Sequence, residues 1–153
     1  MTARVDVYRT WPEGYQAMQQ LEQAVRSSGL EHSLLELVKT RASQINQCAF
    51  CIDMHTKDAR AAGETEQRLY ALSAWRETPF FSDRERAALA MTEALTLVAT
   101  SHEALGVAVD EAKRYFDAAE MAKLTYCIVT INGWNRLAIT AAGKVGGYVA
   151  GSH

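Results

Sequence analysis

The sequence predicts an all-α chain, on three observations. Apolar residues recur at three- and four-residue spacing along most of it, whereas the two-residue alternation of a half-buried strand is scarce. It carries only two prolines, Pro12 and Pro79, so few points forbid a helix. Helix-start and helix-stop residues fall between the apolar stretches at helix-length intervals. A length of 153 residues, 48% hydrophobic and 22% charged, suits one domain with its own core, taken here as residues 1–150. The terminal Gly151-Ser152-His153 reads as a cloning remnant and is set aside from the functional reading.

Pro12 suits the first turn of a helix running to about Ser28, with Gly29 as its stop. Leu34, Leu35, Leu37, Val38, Ala42 and Ile45 form the apolar stripe of a second helix, broken at Asn46-Gln47. A third runs from about Cys48 to Ala62, ended by Gly63. Thr65 to Arg76 forms a fourth. Ser82-Asp83-Arg84-Glu85 has the spacing of a capping box and opens a helix to about Ala99, its charges facing solvent. A short helix is expected from Asp110 to Phe116. Ala118 to about Ala142 forms a long, largely apolar helix, ended by glycines at 143, 146 and 147.

Bulk properties narrow the function. The net charge is -2 and no basic cluster stands out, so nucleic acid is not an expected partner. No apolar run reaches bilayer-spanning length, and the first residues lack the basic and apolar segments of a signal peptide, so the expected compartment is the cytoplasm. Three cysteines do not make a structural disulfide framework. In a reducing compartment a Cys-x-x-Cys pair points instead to redox chemistry or metal binding.

That pair lies in SQINQCAFCIDMH, residues 43 to 55. At about 100° per residue, Cys48, Cys51 and His55 lie within a helical arc of about 60°. The two cysteine Cα atoms then stand about 5 Å apart, within disulfide range. The closed loop is very short, so such a bridge adds little chain-entropy stabilisation and suits opening and closing. A helix N-terminus favours an anion and lowers a thiol pKa. His55, one turn past Cys51, is within reach to take the thiol proton. A chain reversal at Asn46 brings Glu36 beside His55, where a carboxylate can orient an imidazole. Two alternatives stay open: a zinc site of Cys48, Cys51, His55 and Glu36, and a set of packed core residues.

Glu36-x11-Cys48-x2-Cys51-x3-His55 resembles the pattern of the AhpD-like alkylhydroperoxidases of the carboxymuconolactone decarboxylase superfamily. Residues 34 to 96 resemble the family core, and TINGWNRLAI at 130 to 139 resembles its later INAWNR segment. The resemblance implies a helical, oligomeric thiol peroxidase, a homotrimer or homohexamer. Its substrates would be a hydroperoxide and an external dithiol or protein reductant, with no cofactor. By position Cys51 would be the peroxide nucleophile, Cys48 the resolving thiol, and His55 with Glu36 the proton relay. Phe50 stands where the best-studied members carry a histidine, which removes a second proton carrier. The alternatives are a disulfide reductase or redox adaptor without peroxide turnover, and a non-catalytic helical assembly protein. Lactone decarboxylation is not expected to use this pair.

The other chemistry-bearing residues read as structural. Cys127 is expected in the core, His32 at a helix-start surface and His102 in a loop. Trp75 and Trp134 are expected as core or interface anchors, and Asn135 and Arg136 as buried partners of backbone groups.

Overall fold

The computed structural model describes residues 4–152. Met1 to Ala3 of the expected domain, and His153 of the expected remnant, lie outside the described residues. The described residues form seven α-helices: α1 Pro12–Arg26, α2 His32–Ile45, α3 Ala49–Ala61, α4 Glu66–Ala71, α5 Asp83–Thr96, α6 His102–Ala112 and α7 Ala118–Ala141. No strand occurs among the described residues, so the all-α expectation holds. No helix among them is long and apolar enough to cross a membrane.

α2 is the central element, packed against α3, α5 and α7. Its Leu34, Leu35 and Val38 enter a core with Ala88 and Met91 of α5 and Leu124 and Ile128 of α7. Its Leu37 joins a second cluster with Ala59, Leu69, Leu72, Trp75 and Leu89. A helix that buries nearly its whole circumference holds its polar residues rigidly, which matters for Glu36. α1 lies along α7. Gly133 permits the approach, because a Cβ there would stand 3.0 Å from Met18 Cε.

The turn after α2 sets the register of the helix pair α2–α3. Gln47 takes a left-handed φ of 56°, uncommon without glycine. Side chains from α7 hold it: Asn46 Nδ2 donates to Asn132 Oδ1 and Asn135 Oδ1, both at 2.9 Å. Asn135 Nδ2 in turn donates to Ser43 Oγ at 3.0 Å. Cys48 then caps α3, its sulfur accepting from Cys51 N–H at 3.4 Å. Gly63 follows α3 at φ +99°, the stop its sequence position indicates.

Several expectations need correction. The fourth helix stops at Ala71 and continues as a 3₁₀ segment, Leu72–Glu77, because Ala74 leaves helical φ/ψ as Trp75 turns inward. Trp75 Nε1 donates there to Glu93 Oε1 at 2.8 Å. α6 begins about two turns earlier than expected, at His102, because Ser101 caps it through Ala104 N–H. His102 is therefore helical, and Phe116 lies beyond the helix, buried. Ser82 caps α5 through Glu85 N–H at 3.2 Å, but the Glu85 carboxylate pairs with Arg68 rather than closing the box. The complete capping box is Asp117 with Glu120.

Arg84 and Arg86 are more than solvated charges. Arg84 pairs with Glu31 and Glu120 over the Phe116 ring, and Arg86 donates to the carbonyls of Trp75, Arg76 and Thr78. Arg136 is exposed and bonds Asn132, so only Asn135 of that pair is buried. α7 ends through Ala142, not a glycine, in the left-handed conformation.

Candidate active site

Cys48 and Cys51 are joined in a disulfide with Cα atoms 5.3 Å apart, close to the separation the helical spacing predicts. Both are buried, at 1% and 4% exposure. They differ in what they face. Cys51 lines a cavity of about 430 Å³, and Cys48 is not among its lining residues. His55, one turn further along α3, lines the same cavity.

His55 Nδ1 meets Glu36 Oε2 at 3.0 Å, with both side chains almost wholly buried. The carboxylate thereby fixes the imidazole orientation and leaves Nε2 as the other ring nitrogen for proton exchange. Burial alone would raise the Glu36 carboxyl pKa. The hydrogen bond from His55 and the nearby charges of His55 and Lys39 outweigh it, so Glu36 is held below the ordinary carboxylate range. A glutamate kept ionised in an apolar helix pair is a strong partner for an imidazolium.

Sequence reasoning passed over the opposite wall. Lys39 is 1% exposed and its Nζ donates to Glu22 Oε1. Glu22 Oε2 accepts from Trp134 Nε1 at 3.2 Å. Trp134 thus lines the cavity instead of filling the core, next to Tyr15, which stacks edge-on against it and against Tyr8. Burial, with the Tyr15 phenol beside it, pushes the Tyr8 phenol up and keeps it neutral. The signal available in the sequence was Glu22, on the apolar side of α1, four residues before Arg26.

Cys127 lies in the α7 core, where burial pushes its thiol pKa up to about 12. His32 is exposed at the start of α2 and lines a smaller cavity with Glu36 and Glu64.

The zinc alternative named Cys48, Cys51, His55 and Glu36. In this structure the disulfide takes both sulfurs, and thiolates are what bind zinc. Among the described residues, the grouped donors able to hold a metal are Glu36, His55 and Asp58, all within 4.8 Å of one another. Glu36 and His55 already bond each other, and Asp58 accepts from Tyr148 OH at 2.8 Å and from Gly151 N–H at 3.1 Å. Each of the three thus already has a hydrogen-bond partner.

The sequence profile of the carboxymuconolactone decarboxylase family matches residues 12–94. The uncharacterized protein YdfG of Bacillus subtilis strain 168 is 41% identical over 144 residues, spanning 94% of this chain and 97% of its own. A solved protein of unknown function from Agrobacterium tumefaciens, given as a candidate antioxidant defence protein AhpD, superposes with a TM-score of 0.90 at 39% identity. It spans 96% of this chain and 100% of its own. A peroxidase-related protein from Silicibacter sp. TM1040 superposes at 0.80 over 94% of this chain and 76% of its own, and at 20% identity shares the fold.

Proposed function

The chain belongs to the carboxymuconolactone decarboxylase family, on its AhpD-like side, and from that premise we propose that it is a thiol-dependent peroxidase. The observation that carries the reading is the shared cavity. Cys51 and His55 line it together, and His55 is held from behind by the ionised Glu36.

The cycle takes its oxidant from a hydroperoxide and its reductant from an external dithiol. Cys51, as thiolate, attacks the distal oxygen of a hydroperoxide, and the O–O bond breaks. The departing alkoxide takes a proton from His55 and leaves as the alcohol, and Cys51 is oxidised to a sulfenic acid. The Cys48 thiol attacks that sulfur. Water leaves and the Cys48–Cys51 disulfide forms. An external dithiol then reduces the disulfide by exchange and is itself oxidised. The Cα separation of 5.3 Å lets the resolving step proceed within one helical turn. The α3 N-terminus favours the thiolate electrostatically.

The reading places the chain in a reducing cytoplasm, where dithiol reductants are maintained. It also assembles the chain as a homotrimer or homohexamer. α7 supports this, because it leaves Tyr126 at 58% and Val129 at 49% exposure on a helix otherwise rich in buried apolar residues.

A disulfide reductase without peroxide turnover uses the same pair. Phe50 favours it, since an apolar ring stands between the cysteines and adds no proton carrier. Turnover of tert-butyl hydroperoxide with a small dithiol, beside a Cys51→Ser control, separates the two. Peroxide consumed by the wild type alone supports the peroxidase. Disulfide reduction without peroxide consumption selects the reductase.

A further inference from the structure

The cavity beside Cys51 is far larger than hydrogen peroxide needs. Its volume of about 430 Å³ lies within the ~300–1,000 Å³ span of ordinary small-molecule sites. Its wall is aromatic and continuous. Tyr8 and Tyr15 meet edge-on at 5.2 Å between centroids, and Tyr15 and Trp134 at 6.0 Å. The Trp134 indole is fixed by Glu22, so the wall is pre-organised rather than formed around a guest. From α3, Phe50 and Met54 add further apolar surface.

Two charged residues of α1 also line this space, Glu22 and Arg26. They are not equivalent. Glu22 is fully engaged: the buried Lys39 holds Oε1 and the Trp134 indole holds Oε2. Arg26 stands in a long ion pair, its Nε 3.5 Å from Glu22 Oε1, an oxygen that Lys39 already occupies, and its charge also reaches the Tyr148 phenol. The Arg26 side chain is a third exposed, and among the described residues its guanidinium makes no hydrogen bond, which leaves donors for another acceptor. Glu22, Lys39 and Arg26 together carry one net positive charge at this end of the cavity. A planar fork of donors beside an aromatic wall suits a carboxylate attached to a ring.

We propose that the cavity takes a ring-bearing carboxylate, with its aromatic body against Tyr15 and Trp134 and its carboxylate on Arg26. The reactive end then faces Cys51 and His55. With the peroxidase reading, on which only that last assignment rests, the substrate is the hydroperoxide of an arylalkyl carboxylic acid rather than a simple alkyl hydroperoxide.

The test uses the full chain in its disulfide form and probes without an O–O bond. Isothermal calorimetry compares 4-isopropylbenzoate, its methyl ester and octanoate. A charge-assisted contact should make the aryl acid bind roughly tenfold more tightly than the ester. Octanoate should bind more weakly than the aryl acid. Arg26→Gln should abolish the preference for acid over ester while leaving ester affinity in place, and Arg26→Lys should restore part of it. Equal binding of acid and ester, a preference that survives Arg26→Gln, octanoate as tight as the aryl acid, or no binding of the acid each overturns the proposal. The peroxidase reading fails separately. Tight binding of the aryl acid without peroxide turnover removes that reading and leaves the cavity assignment. Turnover of tert-butyl hydroperoxide without acid binding does the reverse.

Discussion

Replacing Glu36 by glutamine tests the relay at its buried end. The amide keeps the size and can still accept from His55 Nδ1, now 3.0 Å from the carboxylate. What disappears is the negative charge. A hydrogen bond to a charged partner contributes about 1.5–3 kcal/mol and a neutral one about 0.5–1.5 kcal/mol, so the loss is about 1–1.5 kcal/mol. If that difference is felt when His55 becomes an imidazolium, Cys51 oxidation slows roughly five- to fifteenfold. The pH dependence carries a second sign. Glu36 is held below its ordinary range, so its contribution to stability is fully present above the unfolded carboxylate value of about 4.3. It is lost as pH falls through the lower folded value. The stability gap between wild type and Glu36→Gln should therefore close on acidification. Rapid-quench thiol counting after tert-butyl hydroperoxide gives the rate, and thermal unfolding across the acid range gives the gap. A variant with the wild-type rate and pH profile would refute the relay and leave Glu36 a packing residue.

Other outcomes follow from the same geometry. Cys51→Ser should abolish peroxide-dependent disulfide formation, and in Cys48→Ser the remaining Cys51 should alkylate at a lower pH than Cys48 does in Cys51→Ser; the opposite order rejects the assignment of the nucleophile. Cys127, with a thiol near pKa 12 in the α7 core, should stay unalkylated in native protein, so labelling there before unfolding contradicts the structure. Asn135→Ala removes one of the two acceptors of Asn46 Nδ2 and the donor to Ser43, which should cost about 2 kcal/mol; an unchanged melting temperature speaks against the clamp. Light scattering should give a mass near three or six times that of the chain, and a value of 16.9 kDa at micromolar concentration dismisses the assembly.

The helices were legible because their signals are local. Pro12, Gly63 and Ser82 mark boundaries through backbone properties that act within one turn. The pairing of Glu36 with His55 was also within reach, because the turn between their helices is short and Asn46-Gln47 announces it. α6 was misplaced because Gly106 weakens the local helix signal, whereas Ser101 defines the start by a single cap. The cavity wall was not legible. It needs Glu22 of α1, Lys39 of α2 and Trp134 of α7 in one place, and no local pattern encodes a meeting of three distant helices. A lysine on the stripe side of α2 reads as a solvated charge until its partner is seen. Asn132 and Asn135 were read within a family segment, but their task, holding the α2–α3 turn from α7, lies in tertiary structure.

Burial alone does not separate the cysteine proposed to react, Cys51, from Cys127. Cys51 is 4% exposed and Cys127 is 0% exposed, and both would be counted as core. Desolvation disfavours a thiolate at either position. The difference is what compensates for it. Cys127 sits within the middle turns of α7, where every backbone N–H is already bonded along the helix and the surrounding charges do not offset its burial. Cys51 lies in the first turn of α3, where unpaired N–H groups and the helix dipole favour negative charge. It also opens on a cavity shared with His55, whose imidazole is held by Glu36. The Asn46 clamp fixes where α3 begins, and so fixes which cysteine stands in that turn. Shifting the start of α3 by one residue would rotate Cys51 about 100° away from its present direction. The polar contacts from α7 to the turn therefore support the proposed chemistry as well as the stability of the turn.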